Sequence, residues 1–124
     1  MTAEYPPIPE CFLDAVDRYA QPRAQVYRTA KGWHAISAAE MLRRVAGLSK
    51  ALFELGIRSG DRVVVFAPNC PEWHIADFAI QGLGGVTVPI YFNESPERLI
   101  YILNDSGARV VVASGAPRVQ RIAE

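Results

Sequence analysis

The residues with the means to do chemistry in this chain are few. Five of them, Asn69, Tyr91, Phe92, Asn93 and Ser114, fall where three short apolar runs end. Amides, a phenol, an aromatic face and a hydroxyl at such ends line a cleft and orient a bound molecule by hydrogen bonding and stacking. The same types have plainer uses: Asn69 and Ser114 suit helix caps, and Tyr91 and Phe92 suit packing over a sheet edge. His34 and His74 have no Cys, Asp or Glu at catalytic or metal spacing, so packing or surface positions are expected of them. Glu72 and Asp77 read as helix-surface carboxylates, with Glu72 favoured by the positive end of a helix dipole. Cys11 and Cys70 lie far apart in no ligand spacing and read as two reduced thiols. No residue is assigned as catalytic, cofactor-binding or metal-ligating.

Gly82-Leu83-Gly84-Gly85 has the composition of a phosphate loop but the wrong placement. A phosphate-binding cluster follows a strand and opens a helix, so that helical N–H groups face the anion. This one closes a helix and precedes a strand, and is expected to be a helix stop and turn.

The elements that position these residues can be read from period and punctuation. Phe12, Val16 and Tyr19 recur at helical spacing from about residue 9 to 20, with Pro22 as the stop. Gln25 to Arg28 and Trp33 to Ile36 form a hairpin about Gly32. Ser37 to Glu40 matches a capping box, and Met41, Val45, Leu48, Leu52 and Leu55 lay one apolar stripe along the helix that follows, leaving Arg43, Arg44, Lys50 and Glu54 to solvent. Gly56 ends that helix.

From Gly60 to Pro89 the pattern is strand, helix, strand. Val63-Val64-Val65 has the continuous apolar character of a central strand covered on both faces, and Pro71 stands where a helix can begin without its own N–H. Ser95-Pro96 opens a further helix, with Leu99, Ile100 and Leu103 as its buried face. Arg109 to Ala113 is a third strand of the same buried type, and Pro117 to Glu124 begins another helix. The fold class is therefore α/β: a three-layer, doubly wound, mainly parallel sheet, β-α-β-α-β from about residue 61, preceded by a helix, a hairpin and a long amphipathic helix. Residues 1–124 read as a single domain, 8–58 being the helix, hairpin and helix and 59–124 the parallel unit. The alternation halts in mid-crossover with the sheet incomplete, as expected of a fragment.

Thirteen basic residues balance thirteen acidic ones, so the overall electrostatic footprint of a nucleic-acid binder is missing. No apolar window reaches the length of a membrane span, and the N-terminus MTAEYPPIPE lacks the basic and apolar regions of a signal peptide. A cytoplasmic protein is expected.

Several segments, in order, resemble the N-terminal part of adenylate-forming acyl-CoA synthetases: Leu55-Gly56-Ile57, Gly60-Asp61-Arg62-Val63, Pro68 to Trp73, Gly84 to Pro89 and Tyr101 to Ala108. The forms Pro71 to Asp77 and Val86 to Tyr91 are most similar to those of long-chain fatty acid–CoA ligases, which usually continue Tyr-x-Thr where this chain has Tyr91-Phe92-Asn93. The resemblance implies a parent enzyme that joins a fatty acid to ATP as an acyl-adenylate, with magnesium assisting, and passes the acyl group to CoA. The family's phosphate loop, ribose-binding Asp and catalytic Lys would lie beyond residue 124. Hence the piece itself is expected to be an inactive scaffold binding none of these groups tightly, with Asn69, Tyr91, Phe92, Asn93 and Ser114 on one wall of the substrate cleft. Its partners would be fatty acid, ATP and CoA in the parent and the remainder of its own chain, with room for a homodimer and for peripheral membrane attachment of the parent. An aryl-CoA ligase, a peptide-synthetase adenylation domain and a stand-alone binding or dimerisation module are the alternatives.

Overall fold

Four consecutive side chains, Val63 to Phe66, are completely shielded from solvent. A strand achieves this only with sheet neighbours on both edges and helices on both faces. The computed structural model of the chain describes residues 5–123. In order its elements are α1 (Ile8–Tyr19), β1 (Gln25–Thr29), β2 (Gly32–Ile36), α2 (Ala38–Glu54), β3 (Arg62–Phe66), α3 (Pro71–Gly82), β4 (Val86–Ile90), α4 (Pro96–Ser106), β5 (Val110–Ala113) and α5 (Ala116–Ala123). Glu124, the expected last residue of the final helix, lies outside the described residues.

The sheet order is β4-β3-β5, parallel throughout, with Val63 opposite both Thr87 and Val110. The chain steps outward from β3 to β4 through α3, then back across β3 to β5 through α4. Right-handed crossovers that travel in opposite directions lie on opposite faces of the sheet. On one face Val63 and Val65 pack with Val45 and Leu52 of α2 and Ile75, Ala76, Ala79 and Ile80 of α3. On the other, Val64 and Phe66 pack with Ile90 and Leu99. The three-layer, doubly wound α/β architecture is that expected from the sequence.

Several local expectations are corrected. α1 ends at Tyr19, ahead of Pro22, because Ala20 takes a left-handed conformation at φ 44°. Only half of the capping box forms: Ser37 Oγ accepts the Glu40 amide at 3.1 Å, while the Glu40 carboxylate is occupied by Arg43 and Arg44. Leu55 is 65% exposed, since the helix is over at Glu54 and the turn at Gly56 delivers Ile57, 0% exposed, into the core in its place. Ile100 is 58% exposed although the preceding Leu99 is 1% exposed, as a 3.6-residue period sends adjacent side chains about 100° apart. β5 is half-buried throughout, not enclosed like β3, because it has a strand on one edge only.

The hairpin β1–β2 is antiparallel, with Arg28 opposite Trp33 and Tyr27 opposite His34. α1 is fixed to the main body by Phe12, whose ring stacks on Phe78 of α3 at 4.2 Å and 14°.

The amino ends of the three parallel strands are tied together by a compact polar brace. Asp61 Oδ2 accepts the Arg58 amide at 2.7 Å and Arg109 Nη1 at 3.1 Å, and Arg109 also donates to the Gly56 carbonyl. The Asp61 carbonyl accepts the Val86 amide at 2.8 Å, linking β3 to β4. Arg62 Nε donates to the Ser106 carbonyl at 2.7 Å, linking β3 to the end of α4. Gly85 is confined here: a Cβ would lie 3.0 Å from the Ile80 carbonyl oxygen and 3.3 Å from that of Asp61.

Two predictions follow from this packing. Leu99→Ala is expected to cost about 2–5 kcal/mol of unfolding free energy by urea titration, whereas Ile100→Ala should stay within about 0.5 kcal/mol of the parent; equal losses would contradict the assigned face of α4. The Arg58 amide first, and Arg109 with it, hold Asp61 below the usual aspartate range against a smaller opposing effect of burial. The contribution of the ionised carboxylate is then complete above about pH 5 and lost as pH falls through the unfolded and then the lowered folded value. The stability difference between the parent and Asp61→Asn should therefore shrink as pH falls from about 5 to about 2, and a pH-independent difference would refute the linkage.

Candidate functional site

Parallel strands deliver their carboxyl ends to one edge of the sheet, and the loops leaving that edge line its crevice. β3, β4 and β5 end there at Phe66, Ile90 and Ala113. A cleft of about 380 Å³ opens between the β3–α3 and β5–α5 loops, with Cys70, Trp73 and Ser114 among its walls and Arg44 and Glu72 at its polar margin. A groove of about 320 Å³ runs beside it over Asn69, Tyr91 and Phe92. Trp73 and Ala67 line both, so the two hollows adjoin around one indole.

The structure thus gathers four of the five expected residues at this edge: Asn69, Tyr91 and Phe92 in the groove and Ser114 in the cleft. Asn93 lines neither hollow and occupies the exposed turn that Glu94 closes by donating its amide to the Tyr91 carbonyl. Tyr91 and Phe92 lie with ring centroids 5.0 Å apart. The plainer use of Asn69 as a helix cap is not realised, since the residue preceding α3 is Cys70 and no side chain caps that helix.

Three contributors were not singled out from sequence. Trp73 had an available signal, an aromatic residue in the first turn of a helix that leaves the strand ends. Arg44 comes from α2, brought close only by the packing of α2 on α3. Arg118 of α5 lies with its guanidinium carbon 5.9 Å from the Phe66 ring and 5.8 Å from the Phe92 ring, and donates to the Ser114 carbonyl at 3.1 Å.

The electrostatics of the cleft are close to balanced. Arg44 gives its Nε to Glu40 at 2.7 Å, and Glu72 faces the same cleft as a countercharge. Hydrogen bonds from Arg44 and then Arg43 hold the Glu40 carboxyl below its usual range, which keeps the ion pair intact near neutrality. The start of α3 is unsuited to a polyphosphate: Pro71 supplies no N–H and Glu72 adds negative charge in the first turn. Among the described residues no three His, Cys, Asp or Glu side chains converge as metal ligands. The residues present fit an apolar or aromatic molecule with few polar groups and do not fit a nucleotide triphosphate.

His34 is exposed and shares a 2.9 Å hydrogen bond with Thr29 Oγ1. His74 is exposed beside the Trp73 ring at 5.8 Å. Gly84 and Gly85 form the helix stop and turn expected of them, Gly84 donating its amide to the Gln81 carbonyl.

Comparison with known proteins places these observations. The profile of the family described as AMP-binding enzyme matches residues 12–124. The long-chain-fatty-acid–CoA ligase FadD15 of Mycobacterium bovis is 39% identical over 92 residues, covering 74% of this chain and 15% of that protein. A feruloyl-CoA synthase of an Amycolatopsis species is 41% identical over 81 residues, covering 65% of this chain and 16% of that protein. Among solved structures, the N-terminal domain of FACL13 from Mycobacterium tuberculosis superposes with a TM-score of 0.82 at 29% identity, over 96% of this chain and 30% of that one. The chain thus spans about 15% of the length of FadD15.

Burial in the cleft wall pushes the Cys70 thiol up, against a smaller opposing effect of the Trp73 amide, whereas Cys11 is exposed. A thiol reagent at pH 7.5 is expected to modify Cys70 at least about tenfold more slowly than Cys11, because thiolate is the reacting species. Equal labelling rates in a time-resolved mass measurement would place Cys70 outside the cleft wall.

Proposed function

Because the chain belongs to the AMP-binding enzyme family, we propose that it is the N-terminal part of a long-chain fatty acid–CoA ligase, which converts fatty acid, ATP and CoA to acyl-CoA, AMP and pyrophosphate. The observation that carries this reading is the 39% identity to FadD15 over 92 residues, 74% of this chain. In this reading residues 1–124 are one structural unit, and the ATP, its magnesium and CoA are held by parts of the protein outside it. ATP supplies the leaving group that activates the carboxylate. The contribution of this unit is binding: the groove over Asn69, Tyr91 and Phe92 and the adjoining cleft with Trp73 and Ser114 form an apolar wall that shields the acid from water. Shielding matters because an activated acyl group that meets water is lost to hydrolysis before the thiol arrives.

Two free thiols, Cys11 and Cys70, fit a reducing cytoplasmic compartment. No helix among the described residues is long and apolar enough to cross a membrane. An aryl acid is the second reading, supported by the 41% identity to the feruloyl-CoA synthase.

The full-length protein decides between them by ATP–pyrophosphate exchange. Exchange is expected to depend on a long-chain acid, and dependence on ferulic acid instead would transfer the assignment to the aryl reading. Trp73→Ala is expected to raise the KM for the acid by about tenfold, the scale of one lost aromatic contact, with the KM for ATP within about twofold. An equal rise in both would remove Trp73 from the acid-binding wall.

A further inference from the structure

A hollow of about 520 Å³, larger than either hollow at the carboxyl edge of the sheet, lies between α1, the start of β1, α2 and α3. Protein interiors pack closely, so a gap of this size needs a cause. The Phe12–Phe78 stack holds α1 against α3, and around it the lining side chains Ala15, Ala24 and Ala38 are too short to fill the space. Val16, Met41 and Phe78 supply apolar walls.

Gln25 also lines this hollow. It is paired in register with Ile36, and residues directly opposite one another share a face, so its side chain lies on the inner face of the hairpin with the buried Ile36. The amide oxygen Oε1 of Gln25 is shielded from solvent and has no hydrogen-bond donor among the described residues. A buried acceptor left unpaired costs free energy that a donor recovers. The donor must come on a neutral molecule, because no Lys, Arg, Asp or Glu lines the hollow. An ionised carboxylate would be buried there without a countercharge and would offer Gln25 Oε1 no proton. A hydroxyl or an amide offers one.

We propose that this hollow is a second binding site, for a neutral single-chain aliphatic molecule whose hydroxyl or amide head donates to Gln25 Oε1 while its chain lies against Val16, Met41 and Phe78. Its volume falls within the roughly 300–1,000 Å³ of small-molecule pockets. Water alone would satisfy the oxygen and leave the apolar walls uncovered, whereas an aliphatic alcohol or amide does both. The site is separate from the acid-binding wall: it shares no lining residue with the cleft at Ser114 or the groove at Tyr91, the two hollows that meet at Trp73. The inference therefore stands whichever acid the protein takes.

The test is equilibrium dialysis of the full-length protein against radiolabelled 1-decanol at about pH 8, where decanoate is ionised. Saturable binding is expected. Decanamide should displace the alcohol, whereas decanoate and decyl methyl ether, which have no donor, should do so at least about fivefold less effectively, the scale of one hydrogen bond. Gln25→Met is expected to weaken decanol binding by about the same fivefold. Ala15→Phe, at an exposed position on the lining, puts a ring into the space and should weaken it by at least about tenfold. Trp73→Ala should leave it within about twofold. Circular dichroism and thermal midpoints check that the variants fold, and the displacement series needs no variant. Absence of saturable decanol binding, as when another part of the full-length chain fills the hollow, would overturn the proposal. So would equal displacement by decanoate or the ether, undiminished binding by Ala15→Phe, or loss of binding in Trp73→Ala.

Discussion

β3 has neither a free edge nor a free face, and the rest of the chain is arranged to keep it so. Its side chains alternate between two apolar cores that never meet, Val63 and Val65 in one and Val64 and Phe66 in the other. Each core therefore holds the strand only if the other is present, because a strand covered on one side would expose the opposite pair to water. At roughly 1.5–3 kcal/mol for each such side chain, that coupling makes the sheet, α2, α3 and α4 a single cooperative body. The elements outside it, the hairpin and α1, are attached by fewer contacts, of which the Phe12–Phe78 stack is the clearest.

The two ends of the sheet have different duties. At the amino end, Asp61, Arg62 and Arg109 fasten loops and strands with short hydrogen bonds, and Gly85 keeps the turn close enough for them to form. At the carboxyl end the loops spread around Trp73, Tyr91 and Phe92 and leave hollows that a ligand can fill. The segments through which the chain resembles acyl-CoA synthetases lie partly at the first end and partly at the second. Gly60 to Val63 and Gly84-Gly85 serve the frame, while Pro68 to Trp73 and the approach to Tyr91 serve the cleft.

Much of this was legible in the sequence. Three β-branched runs, two Pro-started helices and the glycine stops establish the parallel sheet, and the ligand-binding carboxyl edge follows from it, so the loops carrying Asn69, Tyr91, Phe92 and Ser114 were identifiable without coordinates. What period alone could not settle was where a helix ends within its last turn, hence Leu55, or which of two adjacent isoleucine-like residues faces the sheet, hence Leu99 and Ile100. Arg44 and Arg118 were invisible for a different reason. Their places at the site depend on how whole helices pack, and nothing in the letters around them records it. The brace at Asp61 joins residues 48 apart in sequence, and its partner Arg109 reads locally as an ordinary strand-edge cation.

Most bonds in the brace run from an arginine to a main-chain carbonyl: Arg58 to Phe53 and Ile57, Arg62 to Ser106, Arg109 to Gly56. A carbonyl is offered by every residue type, so the donor recognises a place on the backbone and is indifferent to the side chain attached there. Evolutionary drift at the accepting positions is thereby freed, while the donors and the glycines that set the spacing are held. A lineage built this way would be expected to keep a sparse lettering of Gly, Asp and Arg across long distances, with the intervening residues rewritten many times over an unaltered frame.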